Sequence, residues 1–206
     1  TTRINRRTFI RQSIQSAAAV AAVGCLPAIG PFAAPAYAAE APSVAVRKGQ
    51  DASLLVQETL SALGGIEQFV KPGDVVVLKP NIGWDRTVEL AANTNPDVVK
   101  ALALQCLEAG AKQVRIFDRT CNDERRCYTQ SGIRAALESI KSDRISLEYV
   151  NRHGFQELEI RGGKAFERWE FYMPAIEADR LINVPIAKHH SISRLTLGMK
   201  NLMGVI

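Results

Sequence analysis

The chain is poor in the residues that carry most enzyme chemistry. Its 206 residues include 3 histidines and 4 cysteines, and aromatics make up 6%. No C-x-x-C spacing occurs, and only Cys106, Cys121 and Cys127 follow Cys25, too few for the four thiolates of a cubane iron–sulfur cluster. There is no G-x-x-x-x-G-K-[ST] loop, no G-x-G-x-x-G after a strand-like run, no G-x-S-x-G elbow and no H-E-x-x-H. ATP, nicotinamide, serine-hydrolase and zincin chemistries therefore lack their usual marks. Internal repeats, heptads and low-complexity tracts are also missing beyond residue 40. Acid is missing at the start: none precedes Glu40, whereas Arg3, Arg6, Arg7 and Arg11 do.

What the first residues do contain is Asn5-Arg6-Arg7-Thr8-Phe9-Ile10-Arg11 before an Ala-rich apolar run from Ile14 to Phe32. This resembles a twin-arginine (Tat) export signal, the address of proteins that cross the bacterial inner membrane already folded. Ala36-Tyr37-Ala38 supplies a small-residue exit, so residues 1–38 read as signal peptide and 39–206 as the mature domain. Gly24, Pro27, Gly30, Pro31 and Pro35 dilute the apolar run, which makes it a poor spanning helix and leaves no stable membrane span after cleavage. Val23-Gly24-Cys25 is a loose lipobox, the alternative to cleavage after Ala38. A periplasmic or exported location follows, with the Tat translocation machinery as a partner.

The formal net charge of +5 belongs to that address. Residues 39–206 hold 22 basic and 21 acidic side chains, a net of +1. A nearly neutral domain gives a nucleic-acid partner no support.

The remaining residues suffice for one domain with its own core. Short apolar runs alternate with helical patterns, which predicts an α/β fold: an open, mostly parallel sheet flanked by helices. Strands are expected at Ser43–Arg47, Val75–Leu78, Val114–Phe117, Ile145–Val150, Glu157–Ile160, Glu170–Met173 and Arg180–Val184. Helices are expected from Ala52 to Leu63, stopped by Gly64-Gly65, and from Asn95-Pro96 to Ala109 before Gly110. Two more are expected at Ser131–Ile140 and Leu195–Met203. The chain starts without methionine and stops on the apolar Leu202-Met203-Gly204-Val205-Ile206, which reads as a piece of a longer protein.

Ligands of open α/β sheets bind beyond the carboxyl ends of the strands, where loops and helix N-termini converge. Here the strand from Val75 leads to Lys79-Pro80-Asn81, that from Val114 to Asp118-Arg119, and that from Leu181 through Asn183 and Pro185 to Lys188 and His189. Asp and Asn after a strand are also ordinary turn formers, and a lysine there is often merely solvated. Convergence of all three ends argues for a shared site. Lys79, Asp118 and His189 are its catalytic candidates, with Asp118 and His189 as a metal pair. Asn81, Lys188, Lys200 and Asn201 are its substrate-binding candidates. Adjacent His189 and His190 face opposite ways if extended, and His189 is preferred because it lies nearer the strand exit. His153, before Gly154, reads as a turn residue. Cys106 shares a helical stripe with Val99, Leu102 and Ala109 and reads as core. Cys121 and Cys127 lie in a charged loop; an oxidising periplasm permits a disulfide between them, favoured over a pair of metal thiolates.

In order along the chain, Leu63-Gly64-Gly65-Ile66, Val70-Lys71-Pro72-Gly73-Asp74, Leu78-Lys79-Pro80-Asn81, Asn95-Pro96 with Val98-Val99, Glu108-Ala109-Gly110-Ala111, Asp118, Lys188-His189 and Met199-Lys200-Asn201-Leu202-Met203-Gly204 resemble the domain-of-unknown-function 362 family. The resemblance implies an association with iron–sulfur proteins, some members carrying a separate ferredoxin-like module; this chain lacks the cysteines for one. It draws attention to Lys79, Asn81, Asp118, Lys188, His189, Lys200 and Asn201 and assigns them no roles. The expected function is an exported enzyme, dependent on a metal or redox cofactor of unknown identity and acting on a small anionic molecule. The alternatives are a non-catalytic periplasmic anion-binding protein and an accessory subunit of a redox complex.

Overall fold

The computed structural model describes residues 44–206. The expected signal segment, with Arg6, Arg7 and Cys25, lies outside the described residues. In chain order the elements are α1 (Ala52–Ala62), β1 (Val75–Pro80), α2 (Pro96–Glu108), β2 (Gln113–Ile116), α3 (Glu124–Gln130), α4 (Ile133–Glu138) and β3 (Ile145–Leu147). They continue with β4 (Phe155–Glu159), β5 (Arg168–Tyr172), α5 (Met173–Ile176), β6 (Arg180–Val184), β7 (Lys188–His190), β8 (Arg194–Thr196) and α6 (Gly198–Asn201), followed by a 3-10 turn over Leu202–Val205.

Four strands form one parallel sheet in the order β3-β2-β1-β6. The apolar run Val75-Val76-Val77-Leu78 becomes β1, an inner strand covered on both faces. Winding runs outward from β1 through β2 to β3, then returns to place β6 on the other side of β1. The strand order therefore switches direction between β1 and β6, where parallel sheets open a crevice at their carboxyl ends. Register sets Lys79 opposite Asn183 and Pro80 opposite Val184 at that point. Two antiparallel hairpins, β4–β5 and β7–β8, complete the strands.

Local signals explain most boundaries. Asp51 accepts a hydrogen bond from Leu54 N–H (2.9 Å) to start α1, and Gly64 and Gly65, both at φ 91°, end its turn. Asn95 caps α2 through Asp97 N–H (2.8 Å), with Pro96 in the first turn. Helices α1, α2, α3 and α4 contribute to the larger core with Val76, Leu78, Val114 and Ile116. On the other face of the sheet, Val77 and Phe117 pack with Tyr172, Ala175 and Val205 in a smaller cluster.

Three expectations change. Residues 44–47 form no strand: Val44 and Val46 are exposed and no neighbouring strand pairs with them. The helix expected over Ser131–Ile140 is present but shorter, as α4, because Gly132 at φ 73° redirects the chain before Ile133; an unexpected helix, α3, precedes it, capped by Asp123, which accepts Arg126 N–H. The closing helix expected over Leu195–Met203 begins only at Gly198. Its first residues belong to the β7–β8 hairpin, and Leu197 is extended.

Candidate functional site

Side-chain alternation along β1 sends Val76 and Leu78 into the larger core and turns Val77 and Lys79 to the other face. An ammonium is thereby buried at the carboxyl end of the central strand, with Lys79 only 1% exposed. Its partner Asp118, 4% exposed, follows β2 by two residues. Lys79 Nζ donates to Asp118 Oδ1, to the Pro80 carbonyl at 2.9 Å and to Asn201 Oδ1 at 3.4 Å. Asp118 Oδ2 accepts Ile82 N–H at 2.7 Å. Burial pushes the Lys79 pKa down and the Asp118 pKa up, against their mutual attraction and hydrogen bond, which act the opposite way on each.

The pair is held by residues far away in sequence. Tyr128 Oη accepts Asp118 N–H at 2.8 Å and lies within donating distance of the Asp118 and Glu148 carbonyls, at 3.0 and 2.8 Å. Its burial raises the phenol's pKa, so it stays a neutral hydroxyl. Asn201 Nδ2 donates to the Lys79 carbonyl (2.9 Å) and Asn183 Oδ1 (2.8 Å), tying α6 to β1 and β6. Thr94 Oγ1 accepts Asn81 N–H (2.8 Å) and donates to the Val184 carbonyl (2.7 Å), stitching the β1 exit to the β6 exit. Every group of this network is paired, as buried polar atoms require.

Above it lies a cavity of about 390 Å³. Lys79, Asn81, Asp118, Lys188, Lys200 and Asn201 all line it, as do Arg119, His190, Thr196 and the rings of Trp84 and Trp169. Lys188 Nζ donates to Asn81 Oδ1 at 3.2 Å and to the Ala92 carbonyl, and stands 5.9 Å from the Trp84 ring centre. Burial lowers the Lys188 pKa; Cys121 and Asp118 counteract this, while the charge of Lys200 adds to it. Thr196 is 3% exposed, and its Oγ1 is the one buried side-chain polar atom without a partner among the described residues.

Comparison with known proteins bears on this arrangement directly. The family model described as "Domain of unknown function (DUF362)" matches residues 76–206, which include the whole sheet except Val75 and every residue lining the cavity. The chain belongs to the DUF362 family. It is similar to a curated relative, the thylakoid-associated protein sll1697 of Synechocystis sp., with 31% identity over 153 residues covering 71% of this chain and 44% of the relative. This chain thus spans less than half the length of that relative. No solved structure matches it.

Within the DUF362 domain, not every candidate residue reaches the cavity. The short β7 alternates, so Lys188 and His190 face the cavity while His189 is exposed and does not line it. The imidazole at the site is therefore that of His190, in place of the expected His189. His190 Nδ1 accepts Ile192 N–H (3.2 Å) and Ser193 N–H (3.1 Å) at the hairpin turn, which assigns the ring proton to Nε2. The expected metal pair is not assembled either: both oxygens of Asp118 are engaged by Lys79 and Ile82, and His189 points elsewhere. Among the described residues, no three His, Cys, Asp or Glu side chains gather as a metal site. His153 lies in a 3-10 turn, as read from Gly154 beside it.

The expected Cys121–Cys127 disulfide is absent, and both thiols are free. Cys127 is on the inner face of α3 in the larger core, whereas Cys121 is exposed on the loop beside the cavity. Cys106 is buried as expected, and burial pushes its thiol up to about 12. Burial also raises Cys127. In a Cys25→Ser background, native protein is therefore expected to take one equivalent of iodoacetamide at Cys121, with Cys106 and Cys127 reacting only after unfolding. Mass mapping that finds Cys121 blocked until reduction would restore the disulfide.

Proposed function

We propose that this DUF362 domain binds a small oxyanion, a phosphate or carboxylate group, at the carboxyl ends of β1, β2 and β6. The observation that supports this is the charge balance of the cavity wall. Asp118 is its only carboxylate side chain and is already neutralised by Lys79, so Lys188, Lys200 and Arg119 stand unopposed. The partial desolvation of Lys188 and its repulsion by the charge of Lys200 are both offset by an anion beside them. Thr196 adds to the case. A buried hydroxyl without a partner costs about 1–3 kcal/mol, and Thr196 lines the cavity. An oxyanion offers the acceptor that the protein itself does not.

Binding is favoured over catalysis because the acid–base groups are committed: Asp118 to Lys79, His190 Nδ1 to two backbone amides. Delivery by the twin-arginine route, read from Arg6 and Arg7, is the accompanying proposal for location.

Titration calorimetry at constant ionic strength with inorganic phosphate and with acetate tests the idea. Lys188→Ala is expected to weaken binding at least tenfold, and Thr196→Val roughly tenfold, the worth of a hydrogen bond to a charged group. Thr196→Val should at the same time leave the unliganded protein as stable as before, or slightly more so, because no internal hydrogen bond is lost. Folded protein that gives no heat and no shift in Tm with either anion would falsify the proposal.

A further inference from the structure

We infer that this cavity is one end of an elongated site, whose ligand carries a second anionic group held by Arg152 and Arg119 in the adjoining cavity. The inference rests on the oxyanion reading above and adds the class of ligand: a dianion with its charges at opposite ends.

The second cavity, of about 730 Å³, lies against the β4–β5 hairpin and shares Arg119, Trp169 and Ile206 with the first. The two cavities therefore adjoin at these three residues. Arg119 follows Asp118 directly, and its guanidinium lies 5.8 Å from the Phe155 ring centre on the wall of the second cavity. Its Nη1 donates to the Ile206 backbone oxygen at 3.4 Å, and among the described residues no Asp or Glu side chain pairs with it. Arg152 also lines this cavity and likewise has no carboxylate within ion-pair distance among the described residues. Arg168 is neutralised by Glu157 at 2.6 Å. Glu170 is the remaining acid, so the lining keeps an excess of one positive charge.

Between the two cationic ends stands Trp169, exposed at the junction and in contact with Phe166, ring centres 4.7 Å apart. An exposed indole between two sets of arginine and lysine suits a ligand whose middle is apolar or planar and whose ends are charged. Arginine is also the side chain that reads carboxylate and phosphate groups in two-point fashion.

The test uses acetate and the unbranched α,ω-dicarboxylates from malonate to suberate, titrated into the full chain at constant ionic strength. Affinity is expected to rise about tenfold or more over acetate once the chain is long enough to reach Arg152 and Arg119, then to level off. In Arg152→Ala the ratio of dicarboxylate to acetate affinity should fall to near one, whereas in Lys188→Ala both ligands should weaken together. Dicarboxylates of every length binding no better than acetate would overturn the two-ended site while leaving the oxyanion reading intact. So would an Arg152→Ala ratio equal to wild type. Failure of acetate and all dicarboxylates alike would remove both.

Discussion

Lys79→Met is expected to lower the unfolding free energy by about 3–5 kcal/mol, the usual cost of leaving one member of a buried ion pair alone. The cost arises at Asp118, which would keep its place beneath the cavity with Ile82 N–H as its remaining strong donor. The double variant Lys79→Met, Asp118→Asn should recover most of that loss. An asparagine oxygen can still accept from Ile82 N–H, and neither side chain is charged. Urea titration checks this through the midpoint at unchanged slope. A single variant costing under about 1 kcal/mol, or a double variant no better than the single, would show that the pair is not paying the expected desolvation cost.

The same variant has a signed pH dependence. Burial already holds the Asp118 pKa above its ordinary 3.8, and Lys79 is the main influence pulling it down. Removing Lys79 raises the folded-state value further, so the folded variant binds a proton that the unfolded chain releases more readily. A raised carboxyl pKa gives stability that is complete below the unfolded value and lost as pH rises through the folded one. The deficit of Lys79→Met against wild type should therefore shrink as pH is lowered toward 3.8 and be full above the raised folded value.

The sequence carries the sheet more openly than the site. Val75-Val76-Val77-Leu78 can hardly be anything but a buried strand, and Asn95-Pro96 marks a helix start by chemistry that acts within one turn. Strand ends then point to Lys79, Asn81, Asp118 and Lys188, because the carboxyl-end rule needs only the strands and their direction. Elements with polar sequences carry no such signal. Lys188-His189-His190 and Arg194-Leu195-Thr196 make a hairpin whose pairing depends on a turn with Arg194 at φ 65°, which no apolar alternation announces. That omission also costs the histidine: without the hairpin's register there is little to choose between His189 and His190. Tyr128, Thr94 and Thr196 leave no local trace of their roles, since each acts through partners brought near only by the fold. Tyr128 reaches Glu148 across 20 residues, and Thr94 reaches Val184 across 90. Cys121 and Cys127 mislead for the opposite reason: they are close in sequence, but the start of α3 turns one inward and leaves the other on the loop.

Gly204→Ala is expected to be nearly as damaging as the loss of Lys79, although it removes no interaction. Gly204 sits in the 3-10 turn that follows α6, and its α-carbon faces the ion pair. A methyl group there would overlap Asp118 Oδ1 and approach Lys79 Cε at 2.7 Å and Nζ at 2.8 Å, closer than carbon can come to any of them. None of these atoms can retreat cheaply, because Lys79 is tied to Pro80 and Asn201 and Asp118 to Ile82. The turn must back away instead, which pulls Asn201 from the Lys79 carbonyl and from Asn183. A loss of about 3 kcal/mol, the upper end for overpacking, corresponds to a fall in Tm of roughly 6–12 °C for a chain of this size. Gly198→Ala is the matched control: it lies in the same segment, and its new methyl would meet only Asn183 Nδ2 at an ordinary 3.5 Å. Asp118→Ala should make Gly204→Ala markedly less costly than in the wild-type background, because the overlapping oxygen is gone. A double-mutant cycle by thermal or urea unfolding reads that coupling. Simple additivity of the two changes would mean that the glycine answers to the backbone rather than to the buried carboxylate.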